Sequence, residues 1–176
     1  MNTVRRCAAL LACCLFAVAG PCAAPARDAA ASDPIAALLQ AFVVDLERKD
    51  VDGSVSLFTP NAVFVDPDGH EFRGTSSIRR LYATVAASFD SDITLVRTRR
   101  TRAAAVAREE GTYRERLRMR KTGAVQNVRG GYRFTFTRGA GGRWRIAGLQ
   151  WTVEAEKSPR RDGLSNTTVL ALVRIL

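Results

Sequence analysis

The sequence predicts an α+β fold, with three N-terminal helices packed in a strongly curved, mostly antiparallel sheet that forms a conical pocket. Apolar residues recur at helical spacing over residues 33–49 and 74–89. Residues 93–154 show strand-like alternation and no further helical pattern. Helices and antiparallel strands that are segregated along the chain favour α+β over a parallel α/β sheet.

The first helix is predicted over the segment "SDPIAALLQAFVVDLERKD". Asp33 is a favourable N-cap, and Pro34 suits the first turn because its missing N–H needs no partner there. One apolar stripe runs along this helix and predicts its buried face. The stripe consists of Ile35, Leu38, Leu39, Phe42 and Leu46.

Two further helices and one strand follow. Residues 51–58 are predicted to form a short helix that ends at Thr59-Pro60-Asn61. A strand is predicted over Ala62–Asp66, and a third helix over residues 74–89. The buried face of the third helix is predicted to consist of Ile78, Leu81, Tyr82 and Val85.

Four antiparallel strands are predicted after residue 92. The second of them is predicted to be one long strand, or a strand with a bulge near Gly111. The third alternates, with Tyr132, Phe134 and Phe136 on its apolar face. In the last strand the apolar parity switches at Ala147-Gly148, which predicts a bulge that bends the sheet.

Residues 1–26 are predicted to be a secretory signal peptide. Arg5 and Arg6 precede a 14-residue apolar run at residues 7–20, and Ala24-Pro25-Ala26 fits the cleavage pattern. The run is shorter than a membrane helix requires. A lipoprotein signal through Cys13 and an uncleaved anchor remain alternatives. We therefore expect a periplasmic or secreted protein with no membrane span after signal cleavage.

The rest of the chain divides into three parts. Residues 27–32 are predicted to be a flexible N-terminus, residues 33–154 the folded domain, and residues 155–176 a C-terminal extension. All four cysteines lie within the predicted signal peptide, so the mature chain has no thiol for a disulfide or a metal. With a single histidine, no metal site and no cofactor are predicted.

The chain is strongly basic, with a formal net charge of +10. Ten of its basic residues fall within residues 97–121. Such a stripe fits nucleic acid, an anionic surface, a dimer interface or an ordinary solvated sheet face. An exported chain with few stacking aromatics argues against nucleic acid, and none is expected as a partner.

The segment "NAVFVDPDGHEFRG", residues 61–74, holds the main candidate for chemistry. Asp66 follows an apolar strand and precedes Pro67, Asp68 and Gly69. One interpretation is turn chemistry that ends a strand. The other is a carboxylate that acts as a general base at the rim of an apolar pocket, where desolvation raises the pKa of an acid.

The segments "LFTPNAVFVDPDGHEFRGTSSIRRLY" and "GRWRIAGLQW", in this order, resemble the SnoaL-like branch of the nuclear transport factor 2 superfamily. The resemblance covers residues 33–154. It implies a ketosteroid isomerase-like cone with a deep apolar pocket and a homodimer formed through the sheet. Members of this superfamily include isomerases, dehydratases, cyclases, hydrolases, ligand binders and assembly domains, so the fold does not imply one activity.

The resemblance implies roles for several residues. Asp66 matches the general base of the steroid isomerases, whereas Phe42 stands where they have a tyrosine and donates no hydrogen bond. Tyr132 lies near the position of their late-strand acid and is a candidate donor, although core packing is the simpler interpretation. His70 is a weaker acid-base candidate. The predicted pocket residues are Phe42, Val65, Tyr82, Phe134 and Trp151.

Two acids on the second of the four strands add an alternative. Glu109 and Glu115 share strand parity, so either could enter the cavity as a partner of Asp66, although a solvated face is the simpler interpretation. Three functions stay open. They are binding of a small, mostly apolar molecule, a cofactor-free isomerase, lyase or cyclase with Asp66 as base, and a structural dimeric module that docks a partner through its basic face.

Overall fold

The computed structural model describes residues 33–154. The predicted signal peptide, flexible N-terminus and C-terminal extension lie outside the described residues. In chain order the elements are α1 Pro34–Arg48, α2 Val51–Ser56, β1 Phe58–Val65, β2 Glu71–Arg73, α3 Gly74–Ser88, β3 Phe89–Arg102, β4 Val106–Met119, β5 Val125–Arg138 and β6 Trp144–Val153.

The predicted α+β class is confirmed by a curved, unclosed sheet of six strands. Its order is β2-β1-β6-β5-β4-β3. The last four strands form an antiparallel meander, because each pairs with its neighbour in the chain. Strand β1 pairs with β6 in parallel, which makes the sheet mostly rather than fully antiparallel. No helix within residues 33–154 is long and apolar enough to cross a membrane.

Helix α1 begins and ends with favourable capping groups. The side chain of Asp33 accepts a hydrogen bond from the Ile35 backbone N–H at 3.1 Å, as expected for the predicted N-cap. The helix ends at Lys49, whose φ of 60° is left-handed. Its stripe buries Ile35, Leu39 and Phe42 against the rest of the chain.

Aromatic rings dominate the core between the helices and the sheet. The ring of Phe42 lies 5.6 Å from that of Phe134, 6.0 Å from that of Phe58 and 6.2 Å from that of Tyr82, measured between centroids. The pairs with Phe134 and Phe58 are edge to face, and such pairs contribute about 0.5–1.5 kcal/mol each beyond the burial of their surface. These contacts join α1, β1, α3 and β5.

Two bulges interrupt the sheet. Ile146 pairs with Phe136 and Gly148 pairs with Thr135, so Ala147 is the extra residue and the predicted bulge in β6 is confirmed. Near Gly111 the extra residue is Thr98, on the partner strand β3 rather than on β4. Bulges increase local twist and bend the strand, and the sheet is curved as a result.

The start of β1 differs from the prediction. The strand begins at Phe58, so the segment Thr59-Pro60-Asn61 lies within it and does not form the predicted turn. Proline is tolerated here because the pairing of β1 with β6 is irregular between Phe58 and Val63, where no ladder donor is needed. The short strand β2, which pairs antiparallel with β1, was not predicted.

A buried ion pair connects β3, β4 and α1. The Glu109 side chain is 2% exposed, and its Oε2 accepts a hydrogen bond from Arg100 Nε at 2.6 Å. Arg100 also contacts the carboxylate of Asp33 at the start of α1. The hydroxyl of Tyr132 donates to Glu109 Oε1 at 2.9 Å. Each charge is therefore compensated in place, as burial requires.

We expect Arg100→Met to lower the free energy of unfolding by about 3–5 kcal/mol, because it leaves the carboxylate of Glu109 buried without its cation. Urea unfolding of the purified protein measures the loss. The matched control is Arg133→Met, which removes an exposed pair with Glu110 and should cost about 1 kcal/mol or less. Equal losses in both variants would show that the buried pair contributes no more to the free energy of unfolding than the exposed pair does.

Candidate functional site

A cavity of about 850 Å³ lies between the helices and the sheet. Its walls are mostly apolar and aromatic. Strand β4 contributes Tyr113, Glu115 and Leu117, which alternate along the strand and so point to one side of the sheet. The apolar lining comprises Leu46, Val51, Phe64, Phe72, Leu81, Tyr82, Val85, Phe89, Ile93, Tyr113, Leu117, Val128, Trp151 and Val153.

Two of the predicted pocket residues, Tyr82 and Trp151, line the cavity. The other three do not, and this corrects the prediction. Phe42 and Phe134 are fully buried in the aromatic core, where their rings pack against each other. Val65, the last residue of β1, is not among the lining residues, although its neighbours Phe64 and Asp66 are. Strand parity does not separate core from cavity, because both lie on the same face of the sheet.

Tyr132 also lies outside the cavity lining. Its hydroxyl is committed to the buried carboxylate of Glu109. Burial and this hydrogen bond raise the pKa of Tyr132 well above its ordinary value, so it remains a phenol. The structure therefore places the candidate donor in the core, where it satisfies Glu109.

Asp66 and His70 both line the cavity and are in contact with each other. Asp66 Oδ1 accepts the backbone N–H groups of Asp68 at 3.0 Å and His70 at 2.8 Å. Asp66 Oδ2 lies 3.0 Å from His70 Nδ1. The Asp66 side chain is 12% exposed and that of His70 is 69% exposed. Asp66 thus holds a turn, as the first interpretation predicts, and also contacts an imidazole. Its role as a general base stays a prediction.

The same turn offers the one cluster of potential metal ligands within residues 33–154. One ligand atom each from Asp66, Asp68 and His70 lies within 4.8 Å of the other two. The Asp66 oxygens already accept hydrogen bonds from this turn, and Asp68 and His70 are exposed. Turn chemistry accounts for the cluster.

Glu115 is an acid within the cavity wall. One of its oxygens accepts a hydrogen bond from the hydroxyl of Ser91, on the neighbouring strand β3. Desolvation raises the pKa of Glu115 above its ordinary value of 4.5, and the Ser91 hydrogen bond opposes this only in part. Strand parity made Glu115 an open candidate for the cavity. Whether it or Glu109 would enter depended on which helices cover each end of β4.

The Tyr82 hydroxyl is the second notable polar group at this wall. Tyr82 is buried and lines the cavity, and its hydroxyl has no hydrogen-bond partner among the described residues. Burial raises the pKa of Tyr82, and the charge of Glu115 raises it further. Buried hydroxyls normally have a partner, so this unpartnered one is an unusual feature of the cavity wall. Helix periodicity predicted that Tyr82 is buried but not that its hydroxyl is free.

Comparison with known proteins identifies the family of this chain. The model of the SnoaL-like domain family matches residues 39–147, which is more than half of the chain. No curated protein matches the chain significantly.

Solved structures with the same fold share little sequence with this chain. A ketosteroid isomerase-like protein from Erwinia carotovora atroseptica is 18% identical, with a TM-score of 0.64 over 69% of this chain and 94% of that one. A nuclear transport factor 2-like protein from Salmonella enterica is 19% identical, with a TM-score of 0.64 over 73% and 94%.

A third solved structure is a putative dehydratase of the same superfamily from Streptomyces avermitilis. It is 18% identical, with a TM-score of 0.60 over 69% of this chain and 94% of that one. At such identity these three structures show the fold and no more. The family match, the curved six-stranded sheet and the cavity agree with one another, and the chain belongs to the SnoaL-like domain family of the nuclear transport factor 2-like superfamily.

Proposed function

We propose that this domain binds a small, mostly apolar molecule in its cavity. The observation that carries the proposal is the cavity itself, which has about 850 Å³ of space behind mostly apolar walls. Ligand sites typically enclose about 300–1,000 Å³ and combine apolar walls with a few polar groups. The polar groups here are few and distinct. They are the Glu115 carboxylate, the Tyr82 hydroxyl and the Asp66–His70 pair.

The wall also suits a flat or cyclic ligand. The rings of Tyr113 and Trp151 meet edge to face at 4.6 Å between centroids, and both line the cavity. Rigid aromatic walls lose little side-chain entropy when a ligand binds, so they favour binding without rearrangement. The aromatic core behind Tyr82 holds that ring through contacts with Phe42, Phe58 and Phe64.

Export and dimerisation remain proposals that rest on the sequence. Residues 1–26 support export, and the family resemblance supports a homodimer through the sheet. On the sheet, Arg114 of β4 lies opposite Arg129 of β5, and both are exposed. Like charges directly opposite each other on neighbouring strands repel one another.

A second candidate function is cofactor-free proton transfer. The observation that favours it is the contact of 3.0 Å between Asp66 Oδ2 and His70 Nδ1. A carboxylate in this position fixes the imidazole tautomer and leaves Nε2 to take a proton. Both oxygens of Asp66 accept hydrogen bonds, so we propose His70 as the base and Asp66 as its positioning residue.

Ligand binding is tested by filling the cavity. Val128 of β5 lies opposite Glu115 and lines the cavity. The neutral dye N-phenyl-1-naphthylamine becomes more fluorescent when it enters an apolar site. We expect Val128→Trp to abolish this increase, because the larger side chain fills the cavity. Val125→Trp is the matched control, because Val125 lies three residues earlier, on the opposite side of the strand, and is exposed. Binding that survives Val128→Trp, or that is absent from the wild type, would contradict the proposal.

Proton transfer is tested by exchange of the α-hydrogens of 1-tetralone in D₂O, followed by NMR. We expect the protein to accelerate exchange and His70→Gln to lower the rate by about 10²–10⁴-fold, the usual contribution of a general base. Asp66→Asn should lower it as well. Asp68→Asn is the control in the same turn, since no hydrogen bond of the described residues uses its side chain. Exchange that is indifferent to His70 would exclude this function.

A pH-dependent stability difference is expected from Glu115. The pKa of Glu115 is higher in the folded than in the unfolded chain, so the folded state holds the proton more tightly. Stability therefore falls as pH rises through the interval between the two values. We expect Glu115→Gln to raise Tm at pH 7, and this gain to shrink at pH 4, where the wild-type acid is protonated.

The control for this difference is Glu110→Gln. Glu110 lies on the same strand but is paired with Arg133 at the sheet surface, at 3.0 Å. Its replacement should change Tm little, because exposed pairs contribute about 0–1 kcal/mol. If Glu115→Gln instead lowers Tm at pH 7, the carboxylate contributes to folding and is not a strained cavity group.

A further inference from the structure

The cavity is acidic although the chain is basic. The whole chain carries a formal net charge of +10, yet no arginine of the described residues lines the cavity. The lining holds Lys49 and His70 as its basic residues. Against these stand six carboxylates, namely Asp45, Asp50, Asp66, Asp68, Glu71 and Glu115.

Most of these carboxylates have no cation beside them. Glu71 pairs with Arg73, and Asp66 pairs with His70 when that ring is protonated. Lys49 is engaged with Asp90, which lies outside the lining. Within residues 33–154, no salt bridge reaches the remaining four, which are Asp45, Asp50, Asp68 and Glu115.

The pKa of Asp45 is affected by this negative charge. Desolvation and the charge of Asp50 raise the pKa of Asp45, more than the nearby charge of Arg48 lowers it. Carboxylates without a cation beside them create a negative potential, and low-dielectric walls focus it into the cavity. Such a cavity repels anionic ligands and attracts cations.

Glu115 is the acid that lies among aromatic rings. Its Oε1 accepts the Ser91 hydroxyl, whereas its other oxygen accepts no hydrogen bond from the described residues. Tyr113 lies two residues before Glu115 on the same side of β4, and both residues line the cavity together with Tyr82. The buried Tyr82 hydroxyl has no partner in the part of the chain that the structure describes.

We propose that the ligand is a lipophilic cation, an apolar molecule whose ammonium group lies beside Glu115, among Tyr82, Tyr113 and Trp151. Aromatic faces attract ammonium groups, most strongly where water is excluded. The cation compensates the negative charge of the Glu115 carboxylate, which no salt bridge of the described residues does. An ammonium N–H, where present, can donate to the Tyr82 hydroxyl oxygen. This inference rests on the proposed binding function and names its ligand class.

The test compares two probes that differ in charge. They are N-phenyl-1-naphthylamine, which is neutral, and the same dye carrying a trimethylammonium group. At pH 8 we expect the cationic dye to bind the wild type at least about tenfold more tightly than the neutral one. Equal or weaker binding of the cationic dye overturns the inference while the binding function stands. If neither dye binds, the binding function itself fails.

Two variants test whether Glu115 causes the preference for the cationic dye. Glu115→Gln keeps the size of the side chain and should reduce the preference for the cationic dye to about onefold, with the neutral dye bound as before. Glu110→Gln, on the opposite side of the same strand, should leave the preference intact. A preference that survives Glu115→Gln overturns the assignment of the cation to this wall.

Tyr82→Phe provides a measurement that does not depend on the Glu115 variant. It removes only the hydroxyl and keeps the ring. We expect the trimethylammonium dye, which carries no N–H on its cationic group, to retain its preference. A primary ammonium derivative of the same dye should lose about threefold to tenfold in affinity, because it loses one hydrogen bond. Equal losses for both cationic dyes would contradict the predicted contact.

Discussion

The packing of Phe42 against three other rings is the contact on which the two layers of this domain depend. Phe42 is completely buried, and its ring meets Phe58 of β1, Tyr82 of α3 and Phe134 of β5. The helices are thereby fixed to the sheet at one place by apolar contacts alone. Tyr82 belongs to this cluster and to the cavity wall, so the core holds rigid one of the residues that a ligand would meet.

Strand β4 carries two inward acids six residues apart, and their environments are opposite. Glu109 is surrounded by Arg100 and Tyr132 and has its charge compensated within the protein. Glu115 has a hydroxyl donor and no cation among the described residues. A buried acid with all its partners belongs to the structure, whereas a desolvated acid that lacks a cation is a candidate for contact with a ligand. This difference between the two acids distinguishes Glu115 as the one that is available for contact with a ligand.

Local chemistry was predictable where a short segment decides the outcome. Asp33 and Pro34 begin α1 because capping and a fixed φ act within one turn, and the parity switch at Ala147 marks a bulge because side-chain alternation is a local rule. The failures concern long-range packing. Phe134 and Tyr132 point inward as predicted, yet they face helices or a buried acid rather than the cavity. Strand β2 forms only because β1 offers it an edge.

The parallel pair of β1 and β6 sets the order in which this domain can fold. Phe58 and Ile146 pair although they are about 90 residues apart, and the elements between β1 and β6 are β2, α3 and the strands β3 to β5. One side of β1 therefore stays unsatisfied until the last strand has been synthesised. This pair is the one long-range strand pair of the described sheet, since every other pair joins strands that are neighbours in the chain.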